Sequence, residues 1–157
     1  MKPMSKVARK LGRQPWFAAL GKKLVPLDLA MQQRTGGRVS LAKLAGQSSL
    51  VLSTTGRRSG KVRQVPLQYV PHGEEFVLIG SNWGGEKHPG WSANLLANPE
   101  ASVRVDTREI PVRARLITGA ERERLWRDVI TAAWPAYDDY AARAPHRELR
   151  VFVLSPR

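Results

Sequence analysis

Ser49-Leu50-Val51-Leu52-Ser53-Thr54-Thr55-Gly56-Arg57-Arg58-Ser59-Gly60-Lys61-Val62-Arg63-Gln64-Val65-Pro66-Leu67 is the stretch on which the fold turns. Ser49–Thr54 is a β-branched and apolar run. Gly56 and Gly60 bracket a turn after it, and a second run extends from Arg63 to Val70. Two such runs about a glycine turn read as paired strands. Pro66 inside the second run cannot donate to a ladder, so that strand belongs at a sheet edge or carries a bulge. Further on, the turn Pro71-His72-Gly73 between the Arg63–Val70 run and another over Glu75–Ser81 reads as a hairpin. Ala101–Val105 and Glu109–Ile117 flank a turn at Asp106-Thr107, and Leu149–Leu154 is a last strand. About six mostly antiparallel strands with inserted helices make an α+β fold, and such a meander closes most simply into a small barrel.

The helices follow a different period. Trp16, Phe17, Leu20, Leu24, Leu27 and Met31 recur at spacings of three and four, which predicts a helix from Pro15. Pro26 is expected to kink or split it, and Gly36-Gly37 to end it. Its cations Lys22, Lys23 and Arg34 leave it amphipathic. It suits packing on the barrel, or lying on an anionic membrane. Residues 1–14 are polar and basic, show no apolar period and are expected to be mobile. A short helix is expected over Pro89–Ala97, stopped by Asn98-Pro99. Thr118 and Glu121 have capping-box spacing ahead of Leu125, Trp126, Val129 and Ile130. Another short helix is expected over Pro135–Ala144. The chain thus divides into a basic N-terminal segment, 1–47, and a barrel domain, 48–157.

Composition narrows the chemistry. The 157 residues carry 26 Lys+Arg against 13 Asp+Glu, a formal charge of +13. Ten of those cations lie in residues 1–47 against the single acid Asp28, so the barrel is nearly balanced and the excess sits at one end. A basic end attracts nucleic acid, anionic lipid or a ligand bearing phosphates and carboxylates. No nucleic-acid motif is present, and none of the apolar runs approaches the roughly 20 residues that cross a bilayer. Cysteine is absent, which excludes disulfides, thiolate catalysis and cysteine-ligated metal. His72, His88 and His146 are scattered without metal-ligand spacing and read as surface residues, so no metal site is expected. A cytoplasmic protein, with a possible peripheral membrane contact, is the expectation.

Three segments can carry chemistry. In Thr54–Arg63 the glycines allow backbone N–H groups to converge on an anion, and Arg58, Lys61 and Arg63 add charge. The same stretch could equally be a solvated hairpin tip. In Gly80-Ser81-Asn82-Trp83-Gly84-Gly85-Glu86-Lys87-His88-Pro89-Gly90-Trp91 a glycine loop leads from a strand into a helix start, which favours an anion or a polar ring edge. Trp91 and Asn94 share a helix face there, as core or as a cofactor platform. Tyr137 and Tyr140 share a face of the late helix after Trp134-Pro135, and can stack, donate a proton, or merely pack. With no Gly-x-Ser-x-Gly elbow and no cysteine nucleophile, cofactor-borne chemistry is favoured over covalent hydrolysis.

Thr54-Thr55-Gly56-Arg57-Arg58-Ser59-Gly60…Arg63…Pro66-Leu67, Lys87-His88-Pro89-Gly90-Trp91…Asn94-Leu95…Asn98-Pro99 and Glu121-Arg122…Trp126…Pro135-Ala136-Tyr137…Tyr140 together resemble the deazaflavin-dependent nitroreductase family. These are actinobacterial split β-barrel proteins, similar in fold to flavin-mononucleotide-binding oxidases, that use coenzyme F420. The likeness runs from about Leu50 to Leu154. It implies hydride transfer from the reduced deazaflavin to an organic acceptor such as a quinone or nitro compound. It implies a coenzyme site at Thr55, Gly56, Arg57, Arg58, Ser59, Gly60, Arg63, Pro66, Ser81, Asn82, Lys87, Gly90, Trp91 and Asn94. It also implies Tyr137, Tyr140 and Ser81 as the groups that hold the acceptor or supply a proton. Gln68 and Trp134 depart from family residues near the substrate side. The alternatives are an enzyme of the same fold that uses flavin mononucleotide, and a non-catalytic binder of an anionic ligand, lipid or nucleic acid.

Overall fold

A computed structural model describes residues 3–40 and 48–157 of the chain. The boundary expected at residue 47 and the cations Lys2 and Lys43 lie outside the described residues. Helices α1 (Pro3–Gly12) and α2 (Pro15–Thr35) precede β1 (Ser49–Thr55), β2 (Val62–Gln68), β3 (Val70–His72) and β4 (Glu75–Ile79). A short 3-10 turn, Asn82–Gly84, leads to α3 (Gly90–Ala97), β5 (Glu100–Val105) and β6 (Arg108–Ile117). Helix α4 (Gly119–Leu125) runs on through a π-helical turn, Trp126–Ile130, before α5 (Ala136–Arg143) and β7 (Val151–Pro156) close the chain.

The seven strands form one sheet in the order β2-β1-β5-β6-β7-β4-β3, with every pair antiparallel. Strand period explains its two cores. Phe76 and Leu78 of β4 and Phe152 and Leu154 of β7 join Leu50, Leu52 and α3's Trp91 and Leu95 inside the curl. The alternate residues Val77, Ile79, Val151 and Val153 join Ile130, Trp134, Tyr137 and Tyr140 on the other face. Strands β1, β4 and β7 are buried on both faces, which is why they read as continuous apolar runs, whereas β6 alternates exposed and buried residues. Each such fully buried side chain contributes about 1.5–3 kcal/mol.

Several expectations shift. The run expected over Arg63–Val70 splits at Tyr69. Residues 62–68 pair with β1 at one sheet edge, while Val70–His72 pairs with β4 at the other. That split gives a seventh strand and puts Pro66 on an edge strand. Helix α2 continues through Pro26 rather than splitting, and it ends where Gly36 takes φ 62°. Thr118 caps without a side-chain bond, because Glu121 is drawn to Arg115 at 3.0 Å. Residues 3–12, expected to be mobile, form α1. Its attachment needs no apolar period. Gly12 lies flush against the Trp134 ring, its carbonyl accepts from the Tyr140 hydroxyl at 3.1 Å, and Arg13 pairs with Asp139 at 2.7 Å.

Candidate functional site

Helix α2 lies across the mouth of the curled sheet, and the space between them is a cleft of about 840 Å³. That is within the usual range for a cofactor or substrate cleft. One wall is made by strand residues such as Thr54, Arg63, Pro66 and Ile79, together with the Ser81–Asn94 segment. The opposite wall is helical: Phe17, Leu24, Val25 and Asp28 from α2, with Tyr137 and Tyr140 from α5.

The strand wall is fixed by hydrogen bonds. Buried Asn94 uses its Oδ1 to accept from the Arg57 backbone N–H at 3.1 Å, and its Nδ2 donates to Thr54 Oγ1 at 3.1 Å. This ties the hairpin tip to α3. The tip itself is tight: Gly56 N–H donates to the Lys61 carbonyl at 2.7 Å, and Gly60, at φ 70°, donates to the Gly56 carbonyl at 2.8 Å. A Cβ on Gly56 would displace Ser59 Oγ and lie 3.1 Å from the Lys61 carbonyl, so glycine eases the close turn.

Of the residues singled out from sequence, Arg63, Pro66, Ser81, Asn82, Lys87, Gly90, Trp91, Asn94, Tyr137 and Tyr140 line this one cleft. Thr55, Gly56, Arg57, Arg58, Ser59 and Gly60 are not on its wall; they build the hairpin tip beside it. Trp91 is core and platform at once, 8% exposed and packed on Phe152 at 5.8 Å while lining the cleft.

Other lining residues were not expected from sequence. Lys22 and Asp28 come from α2, whose periodicity marks an apolar face without saying what it faces. His88, read as a surface residue, also lines the cleft. Burial, and then the charges of Arg150, Arg147 and His146, push its imidazole below the usual histidine range. The signal was its place in the glycine loop just before Pro89 and the start of α3. Trp83 adopts φ 56° and lies so close to Gly21 that any side chain there would strike its ring.

The two tyrosines differ. Tyr140 donates its hydroxyl to the Gly12 carbonyl, so its proton is already engaged. Tyr137 is 4% exposed and packs edge-to-face with Tyr140 at 5.8 Å, and its hydroxyl makes no hydrogen bond among the described residues. Burial, with a smaller contribution from Tyr140, holds its phenol well above its ordinary range, so it is a neutral O–H donor.

The cleft suits a long, ring-bearing anion. Lys22, Arg63 and Lys87 supply cationic donors, Gly90 leaves open space at the start of α3, and Trp91 and Trp83 give aromatic surface. Ser49 Oγ, of a residue on the same wall, is buried with no hydrogen-bond partner among the described residues. Among the described residues no group of His, Cys, Asp or Glu could hold a metal. No helix among them is long and apolar enough to cross a membrane.

Comparison with known proteins adds to this geometry. The model of a family described as F420H(2)-dependent quinone reductase matches residues 25–156. An F420H(2)-dependent quinone reductase of Mycobacterium tuberculosis is 30% identical over 140 residues, covering 88% of this chain and 93% of that protein. A solved F420-H2 dependent reductase superposes with TM-score 0.62 at 35% identity, over 69% of this chain and 94% of the other. A second solved structure, a domain-swapped dimer, gives TM-score 0.64 at 32% identity, over 83% of this chain and 99% of that one.

Proposed function

The chain belongs to the F420H(2)-dependent quinone reductase family, and from that premise we propose that its cleft performs hydride transfer from reduced coenzyme F420 to a quinone-type acceptor. The coenzyme supplies the hydride, and everything else is the work of this chain. Arg63, Lys87 and Lys22 hold anionic groups by charge-assisted bonds. Arg57, Arg58, Lys61 and the turn Thr55–Gly60 extend the cationic surface along the hairpin, which suits a long anionic tail better than a compact mononucleotide. Asn94, locked between Arg57 and Thr54, keeps that surface in register with α3. Ser81, Asn82, Gly90, Trp91 and Pro66 frame the ring end.

Reduction of a quinone takes up one hydride and one proton at the second oxygen. Tyr137 is the group best suited to hold that oxygen and pass a proton to it, with Ser81 on the facing wall. Tyr140 fixes the aromatic wall through Gly12. The reading is carried by the convergence in one cleft of the cations Lys22, Arg63 and Lys87 with the unengaged hydroxyl of Tyr137. Anaerobic oxidation of the reduced coenzyme, followed by its absorbance with and without a soluble quinone, tests it. Quinone-dependent turnover that saturates with coenzyme supports the reading, and coenzyme oxidation at the uncatalysed rate overturns it.

The outer face of the helical arm supports a peripheral contact with anionic membrane. Val7, Trp16 and Leu27 are 59%, 57% and 53% exposed, on helices that also carry Lys6, Lys10 and Lys23. Apolar side chains beside cations fit an acidic bilayer surface, with the enzyme on its cytoplasmic side. Residues 1–47 then act as the basic arm of a barrel domain, 48–157. Co-sedimentation with vesicles of anionic lipid at low salt checks this; absence of binding removes it.

A further inference from the structure

The loop after β4 has a conformation that its own sequence does not favour. Asn82, Trp83 and Gly84 are consecutive left-handed residues, at φ 44°, 56° and 76°. Asparagine tolerates this region, but for Trp83 it is unfavourable, and such a conformation persists only where its surroundings over-determine it. Glycine is required behind them. A Cβ on Gly84 would press on the Tyr140 backbone, and one on Gly85 would meet the Asn82 carbonyl and Lys22 Nζ.

Most of the side-chain bonds that hold the turn come from one residue at the other end of the sequence, with His146 Nε2 also in contact with the Glu86 carbonyl. Arg147 Nε donates to the Gly85 carbonyl at 3.1 Å, and Nη2 donates to the carbonyls of Ser81 at 2.7 Å and Gly85 at 2.9 Å. Nη1 reaches the Gly80 carbonyl at 3.0 Å and His88 Nδ1 at 3.3 Å. A guanidinium has five N–H groups, and these contacts use all of them. They close the loop from both ends, since Gly80 and Ser81 precede the left-handed turn and Gly85 and His88 follow it. Asn82 Nδ2, donating to the Lys87 carbonyl at 2.9 Å, is a second tie within the loop. Arg147 itself is not on the cleft wall, whereas Ser81, Asn82, Trp83, Lys87 and His88 are.

We infer that Arg147 is a positioning residue for the coenzyme cleft. Its planar fork holds the Gly80–His88 loop in the left-handed turn that presents Trp83 and Lys87 to the ligand. It also occupies Nδ1 of His88, so the neutral imidazole carries its proton on Nε2 as a fixed donor. The requirement is for a flat five-donor group, not for positive charge: a lysine ammonium has three donors and cannot span carbonyls on both sides of the turn. The inference rests on the coenzyme cleft proposed above, and its test separates the two.

The experiment compares wild type with Arg147→Lys, Arg147→Ala and, as a control in the same segment, the exposed Glu148→Gln. Amide hydrogen exchange is read on the ligand-free proteins, and coenzyme F420 affinity by titration. In wild type the amides of Gly84 and Gly85, which donate to the Ser81 and Asn82 carbonyls at 2.9 and 2.8 Å, should be protected. In both Arg147 variants they should exchange at least tenfold faster, with β4 and β7 amides unchanged. The coenzyme Kd should rise at least tenfold in both, with no rescue by lysine, while Glu148→Gln behaves as wild type. Unprotected Gly84 and Gly85 amides in wild type would overturn the inference. So would wild-type affinity in Arg147→Lys, or loss of protection throughout β4 and β7, which would make Arg147 a prop of the barrel. If wild type itself fails to bind the coenzyme, the exchange data still decide whether Arg147 holds the turn, and it is the function that falls.

Discussion

On the strand side of the cleft, polar contacts fix the backbone frame: Asn94 spans Arg57 and Thr54, and Arg147 ties the loop from Gly80 to His88. On the helix side, α2 presents Phe17, Leu24 and Val25, and its attachments include α1's seat at Gly12 and the contact of Gly21 with Trp83. One wall is directional and rooted in the sheet; the other is mainly apolar, with Lys22, Asp28 and the tyrosines as its polar groups, and is laid over it. Directional contacts give a ligand one pose, whereas an apolar cover can admit acceptors of varied shape. Recognition of the coenzyme should therefore belong to the strand wall, and tolerance toward acceptors to the helical one.

The sharpest contrast is in stability. Leu52, fully buried in β1, should cost about 2–5 kcal/mol when cut to alanine, a cavity in a core that cannot collapse. Val25→Ala, on the half-buried cleft face of α2, should cost well under half as much. Chemical denaturation of both variants checks this. Equal losses would mean that α2 is as much a part of the core as β1.

Chemistry should divide the tyrosines. Tyr137→Phe keeps the ring and removes the unengaged hydroxyl, so turnover with a quinone should fall about 10- to 1,000-fold with little change in melting temperature. Tyr140→Phe breaks the bond to Gly12 and should lower stability by about 1 kcal/mol, with turnover largely kept. Steady-state kinetics and a thermal melt on the pair decide it; the reverse pattern would exchange their roles.

Arg63, on the cleft wall, and Arg58, at the exposed hairpin tip, probe the cationic side. Arg63→Ala should weaken coenzyme binding by about 1.5–3 kcal/mol, the worth of a charge-assisted bond. Arg58→Ala should weaken it less, and its effect should fade with added salt. Titration calorimetry at two salt concentrations checks both.

The smallest effect concerns pH. The folded protein holds the Tyr137 proton more tightly than the unfolded chain, whose phenol titrates near 10.0. The stability this contributes is intact below pH 10 and is lost as pH rises beyond it. Alkaline unfolding should thus begin earlier in wild type than in Tyr137→Phe, by a pH-dependent melt. Activity should show no tyrosine titration between pH 6 and 9.

How much of this was legible in the sequence depended on range. The strand period, the Gly56–Gly60 turn and the edge position of Pro66 are local, and they appear where expected. Glu121 misled because capping-box spacing is a local signal, whereas its partner Arg115 lies across the strand–helix junction. The break at Tyr69 was hidden because Val65, Leu67, Tyr69 and Val70 read as one strand run and only pairing with β1 and β4 separates its halves. Lone polar residues were the least readable. Nothing in the local pattern of His88 or Arg147 announces that one meets the other, because their contact spans 59 residues.

The most direct test is a titration of the purified protein at low salt with coenzyme F420 and, in parallel, with flavin mononucleotide. The cationic hairpin and the cleft it borders should give micromolar or tighter binding of the deazaflavin, at least tenfold weaker binding of the mononucleotide, and loss of the deazaflavin's advantage in Arg63→Ala. Equal or tighter binding of flavin mononucleotide by the wild-type protein would contradict the assignment of this cleft.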